Sequence, residues 1–238
     1  MINLDNIAAA AAQRHSDFIG LLLKDARDNE VGSPYREMLQ RGVRYIASER
    51  AEAFNTSKNV SDAATKAVNT FFGTDIPSAH VGAVDRFIPF VATQASADIK
   101  SALAHSVAIK AQTRLISQSN KHLSKSQVDA EALKRSPYTS YFIDKSGKRW
   151  NGDVYIKTLW RQFFVNDLAE ATIAALLENK QTTAKLITSA PGKPGNNVIF
   201  TLTNDFSLPT WAEVRDKYFH PNTSIIVAPT GANNGFSV

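Results

Sequence analysis

The five histidines are the side chains best suited to acid–base chemistry near neutral pH, where an imidazole titrates. They occur at His15, His80, His105, His122 and His220. None of them lies at the HExxH or paired-ligand spacing of a metal site, so the sequence predicts no metal. His220 is the one candidate for a general base, and no nucleophile motif accompanies it. We therefore predict no catalytic residue. Instead, we expect His220, Pro221 and Asn222 to form a rigid turn in which the imidazole bonds nearby backbone.

Motifs for phosphate, nucleotide and thiol chemistry are missing from the sequence. The segment 191–197, PGKPGNN, has glycines and a lysine but lacks the Gly-Lys-Ser/Thr ending of a phosphate-binding loop. No GxSxG motif and no Rossmann fingerprint occurs, and we predict no cofactor. The chain contains no cysteine, which excludes disulfides and cysteine-ligated zinc.

Basic residues dominate the segment between Asp98 and Asp129, which contains no acidic residue. We call its five cations the basic stripe: Lys100, Lys110, Arg114, Lys121 and Lys125. At helical spacing Lys110, Arg114 and Lys121 project to a broadly common side, and such a surface can neutralise DNA phosphates. An ordinary solvated face and a surface for an acidic protein partner are the alternatives. A net charge of +5 and a pI near 9.4 permit contact with nucleic acid without demanding it.

Large aromatic residues recur at helical spacing in the segment 150–164. Trp160 and Phe164 lie four residues apart and share one face, whereas Tyr155, Leu159 and Phe163 occupy a neighbouring face. A small sheet offers too little area to cover both faces. Trp160 and Phe164 must then be buried by the N-terminal helices or by another protein, and we predict that they form a candidate partner surface.

The elements that position these residues begin with a helical region over 1–136. Apolar spacing predicts helices at 4–30, 34–54, 61–72 and 91–119, and a last one from Ser124 or Ser126 to about 134. The polar segment 55–59 is predicted to be a connector, with Ser61 as the cap of the next helix. Gly82 and Pro89 favour bends before the helix that begins near 91. The pattern changes from helical to mixed after Ser136, which predicts a domain boundary there.

Residues 137–230 mix short strands with helices, so that the whole chain is predicted to have an α+β fold. A turn at Gly147 joins strands at 141–143 and 149–150, and Asn151 caps a long helix over 152–179. Further strands are predicted at 184–189, 198–203 and 224–227, with a short helix at 210–218. We expect a small mixed sheet packed on the long helix. The tail, residues 231–238, is predicted to be disordered unless a partner orders it.

Two motifs in residues 137–229 carry a resemblance to a known family. The first is similar to the pattern D-x-x-G-[RK]-[RK]-W…Y…R of the phage minor head proteins, also called the head-morphogenesis or Mu F-like minor capsid family. The matching residues are Asp144, Gly147, Arg149, Trp150, Tyr155 and Arg161. The second resembles the family's H-P-N-C-R turn, which leads into an apolar strand, and its matching residues are His220, Pro221 and Asn222.

The two motifs also match the family in order and separation, but the sequence departs from the family pattern at two positions. Thr223 stands where the family usually has Cys, and Gln162 stands where Thr is common. A thiol or metal role of relatives at the cysteine position therefore cannot apply to this chain.

The resemblance implies a structural minor capsid protein of a tailed bacteriophage, and not an enzyme. Such a protein is present in the head in few copies and associates with the portal or with the major capsid protein inside the capsid. It resides in the virion, and in the host cytoplasm during assembly. The runner-up is an internal virion protein that contacts packaged DNA through the basic stripe and acts in ejection. An enzyme that uses His220 with a carboxylate is the third class. No apolar run approaches the length of a membrane span, so no membrane partner is expected.

Overall fold

The computed structural model describes residues 2–28, 34–78, 84–144, 146–188, 192–203, 207–220, 223–233 and 236–238. Six helices lie in these ranges: α1 (Leu4–Asp28), α2 (Pro34–Phe72), α3 (Val84–Ser119), α4 (Lys125–Arg135), α5 (Gly152–Glu178) and α6 (Trp211–Tyr218). Five short strands accompany them: β1 (Tyr141–Ile143), β2 (Arg149–Asn151), β3 (Thr183–Ile187), β4 (Ile199–Thr201) and β5 (Ile226–Pro229). The predicted α+β fold with an N-terminal helical region is confirmed.

The chain divides into two compact units. The sheet unit comprises residues 1–9, 50–87 and 157–238, and it contains β3, β4, β5 and α6. The bundle unit comprises residues 10–49 and 88–156, and it contains α4 and the β1–β2 hairpin. The predicted domain limits of 1–136, 137–230 and 231–238 stay a prediction. None of the helices in the described ranges combines the length and the hydropathy needed to cross a membrane.

The core of the sheet unit forms between α5 and the three-stranded sheet. The strand order is β4-β3-β5, and both ladders are antiparallel. Val165, Ala169 and Leu176 of α5 pack in one buried cluster with Leu186 of β3 and Val227 of β5. The predicted packing of a small sheet on the long helix is therefore confirmed. The ladders are antiparallel rather than mixed, and the parallel pairing that the structure describes is a single isolated bridge between Thr201 and Thr210.

A single helix, α2, replaces the two helices and the connector predicted between 34 and 72. The predicted connector at 55–59 is wrong because its small polar residues continue the buried stripe of the helix. Thr56, Ser57 and Ser61 are buried at the same three- and four-residue spacing as Ala53, Val60 and Ala64. Ser61 is therefore an interior residue and not a cap. Small hydroxyl side chains fit closely packed helix surfaces, so their polarity misled the prediction.

The helix α3 begins at Val84 and continues through Pro89, where a bend was predicted. Pro89 lies in the second turn, so its missing N–H removes only one hydrogen bond near the start of the helix. Gly82, the other residue on which the predicted bends rested, lies outside the described residues.

The predicted cap of α4 and the predicted start of α5 are confirmed. Ser124 caps α4 through a capping box with Gln127. The Asn151 side chain accepts a hydrogen bond from the backbone N–H of Asp153 at 2.9 Å at the start of α5.

The C-terminal tail packs on the sheet unit, contrary to the prediction of disorder without a partner. Ala232 is buried with Ile187 and Ala228, and Phe236 packs against that cluster. The backbone N–H of Ile2 donates to the carbonyl oxygen of Val238 at 3.2 Å. The prediction was wrong because it considered the small polar residues of the tail and neglected the anchoring by Ala232 and Phe236.

Candidate functional site

The first motif forms a hairpin that is organised by the Asp144 side chain. Asp144 Oδ1 accepts hydrogen bonds from the Ser146 hydroxyl at 2.6 Å and from the backbone N–H of Lys148 at 3.0 Å. Asp144 Oδ2 accepts from the Trp150 indole N–H at 2.9 Å. The Ser146 hydroxyl and then the Trp150 indole lower the pKa of Asp144 to about 2, because they bond its charged form. Gly147 has φ of 81°, the left-handed geometry predicted for this turn.

Aromatic contacts attach this hairpin to α5 and fix two cations on its surface. The Phe142 and Tyr155 rings stack with centroids 3.9 Å apart. The Arg149 guanidinium lies 4.0 Å from the Tyr141 ring centroid, and the Lys148 amine lies 4.5 Å from that of Trp150. Five of the six residues matched in the first motif therefore build one local structure, and the sixth, Arg161, lies elsewhere.

Arg161 lies in the sheet unit, on the wall of a groove of about 850 Å³ that follows β5. Residues 223–227 form one side of the groove, which brings Thr223 and Ser224 beside the same space. The Arg161 Nε donates to Asp5 Oδ1 at 2.8 Å, and the Asp5 side chain is 71% exposed. The structure thus gathers the last residue of the first motif and the residues that follow the second motif in one groove. This groove is the candidate functional site.

Two layers flank the edge of β5 in this groove. On one side Ile225 and Val227 face the buried cluster that contains Val165 of α5. On the other side Ile226 packs against the cluster of Ile187, Ala228 and Ala232, and Phe236 of the tail packs against both clusters. The opposite edge of the sheet is different, because the Thr201 N–H of β4 donates to the Pro209 carbonyl at 3.0 Å. In the described part of the chain, no strand pairs with β5 on the side away from β3.

The second motif is only partly described, because Pro221 and Asn222 lie outside the described residues. The His220 carbonyl accepts a hydrogen bond from the Thr223 N–H at 2.9 Å, which is consistent with the predicted turn. The His220 side chain is exposed, and the structure gives its imidazole no hydrogen bond to the described residues. The prediction that this imidazole holds the turn by bonding nearby backbone therefore has no support in the described residues. The predicted strand at 224–227 is displaced to β5, which begins two residues later.

Trp160 and Phe164 do not form a partner surface. Both side chains are fully buried within the sheet unit. The Trp160 ring meets Phe87 edge-on at 5.4 Å between centroids, and it lies 5.4 Å from Phe164. The sequence predicted that this pair is buried either by the N-terminal helices or by another protein. In the structure, Phe87 from the N-terminal half of the chain covers it. The sequence could not show this because Phe87 lies in α3, far from Trp160 along the chain, with α4 and the β1–β2 hairpin between them.

The basic stripe is exposed but does not lie on one helix. Lys100, Lys110 and Arg114 occupy exposed positions of α3. Lys121 lies beyond the end of α3 and Lys125 begins α4, so the predicted common side holds only for Lys110 and Arg114. No acidic residue within the described ranges pairs with any of the three α3 cations. Val107, 63% exposed, lies on the same face of the helix.

A buried ionisable cluster, which the sequence did not predict, lies in the bundle unit. His15 is fully buried, with its Nδ1 2.7 Å from Asp153 Oδ1 and its Nε2 2.9 Å from Asp98 Oδ2. Asp98 also accepts from the Ser140 hydroxyl at 2.6 Å and from the Gln94 amide at 3.1 Å. These residues come from α1, α3, α5 and the segment before β1. No spacing in the sequence connects them.

The two carboxylates determine the charge of His15. Burial acts to lower the pKa of His15, but the hydrogen bonds and the charges of Asp98 and Asp153 outweigh it and raise that pKa above 6.5. Each ring nitrogen faces a carboxylate oxygen, and an ionised carboxylate only accepts hydrogen bonds, so this geometry favours the protonated imidazole, which donates from both nitrogens. Ser140 bonds Asp98 rather than His15, so this is not the order of a Ser–His–Asp relay. Within the described residues, no group of three or more His, Asp or Glu is arranged to hold a metal ion.

The sequence contains one local sign of this cluster, which is Gly152 at the start of α5. A Cβ at Gly152 would collide with the Ser140 hydroxyl and approach His15 Cε1 to 3.0 Å. Gly152 therefore lets the first turn of α5 reach the buried cluster.

Comparison of the chain with models of known protein families, with curated proteins and with solved structures gave no match.

Proposed function

We propose that this chain is a structural minor capsid protein of a tailed-bacteriophage head that associates with the portal or with the capsid interior. The observation that carries the proposal is the Asp144 hairpin. In it the motif residues Asp144, Gly147 and Trp150 contact one another or shape the turn, as expected of residues that maintain a structure. They do not converge on a space in which a substrate could react.

The gathering of Arg161 and Thr223 in one groove adds support. Arg161 of the first motif and Thr223, which directly follows the matched residues of the second, are far apart in sequence and line the same groove. A shared surface is what a protein with a binding role requires, and structural proteins of a head act through their partners.

Composition of purified virions tests the proposal. The chain, tagged and expressed from the phage that encodes it, is expected in density-purified heads at a low ratio to the major capsid protein. Asp144→Asn should reduce that incorporation, because the neutral amide accepts the hydrogen bonds of the hairpin more weakly. Asp129→Asn on α4 is the matched control. Absence of the wild-type chain from heads at every stage of assembly would refute the proposal.

Contact with packaged DNA is the second candidate function, and the exposed α3 cations favour it. If Lys110 and Arg114 neutralise phosphates, replacing both by Gln should reduce the slope of log affinity against log salt by about two units. Arg36→Gln with Lys58→Gln makes the same charge change at exposed positions of α2 and is the control. Equal slopes for the two double variants would exclude α3 from DNA binding.

A further inference from the structure

We propose that the proton on His15 controls how the β1–β2 hairpin is held. The protonated imidazole fixes the end of the hairpin at Asp153, and loss of the proton releases that end while the other end, at Ser140, stays bound to Asp98. This change would occur within the bundle unit whether or not the chain is a capsid protein, so it goes beyond the proposed function.

The buried cluster holds the chain on both sides of the hairpin. Ser140 directly precedes β1, and its hydroxyl donates to Asp98 Oδ1 of α3 at 2.6 Å. Asp153 follows β2 by two residues, and its Oδ1 lies 2.7 Å from Nδ1 of His15 on α1. The Gly152 N–H also donates to the Ser140 carbonyl at 3.2 Å, which closes the hairpin at its base. The hairpin is therefore fixed to α3 at one end and to α1 at the other.

The two contacts of the imidazole can coexist only while it carries both protons. A neutral imidazole has one N–H donor and one nitrogen lone pair, whereas an ionised carboxylate only accepts hydrogen bonds. The nitrogen that loses its proton would direct its lone pair at a carboxylate oxygen, which lies 2.7 Å from Nδ1 or 2.9 Å from Nε2. One of the two contacts must therefore break when His15 is deprotonated.

Burial decides that the contact with Asp153 is the one that breaks. The Asp98 side chain is 1% exposed, so losing the His15 donor would leave a buried charge with fewer hydrogen bonds. The Asp153 side chain is 45% exposed, and among the described residues His15 is the one hydrogen-bond partner of its carboxylate. The freed carboxylate can turn to water, and in the first turn of α5 the helix dipole still favours its charge. The neutral imidazole therefore keeps its proton on Nε2, which faces Asp98.

The other ionisable groups around His15 do not change their charge in the same range of pH. Burial raises the pKa of Tyr45 on α2, whose ring centroid lies 6.2 Å from that of His15, and also the pKa of Tyr138 before β1. Both phenols therefore stay neutral below the ordinary tyrosine pKa of about 10. Arg14 and Glu49 pair with each other, since the Arg14 Nε donates to Glu49 Oε1 at 2.5 Å.

The expected change is confined to the hairpin and the first turn of α5. Ile156, which follows Asp153 by three residues, is fully buried and keeps the next part of the helix in place. The Phe142 ring of β1 stacks on Tyr155 with centroids 3.9 Å apart, so the hairpin stays attached to α5. Loss of the proton should therefore loosen the base of the hairpin without unfolding the helix.

Nuclear magnetic resonance of the full-length chain with isotope-labelled histidine tests which nitrogen keeps the proton. The His15 ring should carry both protons below pH 6.5, and deprotonation should remove the one on Nδ1 and leave the one on Nε2. A neutral ring protonated on Nδ1 would overturn the inference. A ring that keeps both protons up to a pH of about 10 would overturn it as well.

Hydrogen exchange measures the release, and protection factors remove the intrinsic effect of pH on the exchange rate. The protection of the Gly152 amide, which bonds Ser140 across the base of the hairpin, should fall about tenfold as His15 is deprotonated. The amides of α4, in the same unit, should change less than about twofold. Equal protection of Gly152 on both sides of the His15 titration would contradict the release.

Two replacements of Asp153 separate the proton-dependent contact from a purely structural role. Asp153→Ala removes the contact, so the protection of Gly152 should be low at every pH. Asp153→Asn keeps the contact, because its amide accepts from a protonated Nδ1 and, once flipped, donates to a bare one; protection should then stay high. Asp17→Asn, at an exposed position of the helix that carries His15, is the matched control and should keep the pH dependence of the wild-type chain. The same pH dependence in all three variants would overturn the inference.

Discussion

The two compact units differ in the kinds of polar side chain that they bury. The interior of the sheet unit is built mostly from apolar and aromatic side chains. Its buried polar residues are Thr and Ser, with Asp167 as the one buried carboxylate among its described residues. The bundle unit instead buries ionised groups against one another. His15 lies between Asp98 and Asp153, and Glu49 and Asp25 pair with arginines.

This difference determines which conditions each unit responds to. Apolar burial depends little on pH, whereas buried ion pairs exist only while both partners are charged. Removing one partner of such a pair leaves the other charge buried, which costs more than the pair contributes. The stability of the bundle unit, which buries His15, Asp98 and Glu49, should therefore respond to pH more strongly than that of the sheet unit, which buries Asp167.

The largest expected effect is in the sheet unit. Trp160→Ala should lower the free energy of unfolding by about 4 kcal/mol, because it empties a fully buried indole site beside Phe87 and Phe164. Hydrogen exchange resolved along the chain should show faster opening of the sheet unit. The loss should be the same at acidic and at neutral pH. Unchanged stability would mean that the Trp160 side chain is exposed rather than buried. The half-buried Trp150 is the control position against which the loss at Trp160 is compared.

A smaller loss is expected from the bundle unit. Asp98→Asn removes one of the two carboxylates that hold the His15 cation, and we expect a loss of about 3 kcal/mol at neutral pH by chemical denaturation. Asp75→Asn, at an exposed position, is the control and should change stability by less than about 0.5 kcal/mol. If the two variants were equally stable, the buried cluster would not stabilise the bundle unit.

The pH dependence of the bundle unit follows from the raised pKa of His15. A folded-state pKa above the ordinary value of 6.5 means that the folded state binds the proton more tightly than the unfolded chain. The stability that the folded state gains from the protonated His15 is complete below pH 6.5. It is lost as the pH rises through the higher, folded-state pKa. The thermal midpoint should therefore fall as the pH is raised from below 6.5 through the folded-state pKa, and His15→Gln should remove that dependence. His122→Gln, at an exposed position, should retain it.

The smallest effect is predicted for His220→Ala. Because the imidazole is exposed, the replacement should change the free energy of unfolding by less than about 0.5 kcal/mol. The turn predicted from the sequence, in which the imidazole bonds nearby backbone, would instead give a larger loss. A drop of more than 1 kcal/mol in the measured unfolding free energy would restore the earlier interpretation.

Local rules determined much of this molecule from the sequence. The Asp144 turn and the caps at Ser124 and Asn151 depend on residues a few positions apart. Interactions over so short a separation leave a spacing that can be recognised. Where a local rule failed, as at residues 55–59, the outcome depended on whether another part of the chain covered the residue.

Tertiary structure alone decided the contacts that give the molecule its two interiors and its groove. His15 meets Asp98 and Asp153 across separations of 83 and 138 residues, and Arg161 comes to line the same groove as Thr223. No sequence period or motif predicts these contacts, because the side chains lie on different elements that come together only in the folded chain. A lone histidine in an alanine-rich helix therefore gave no sign of its charge.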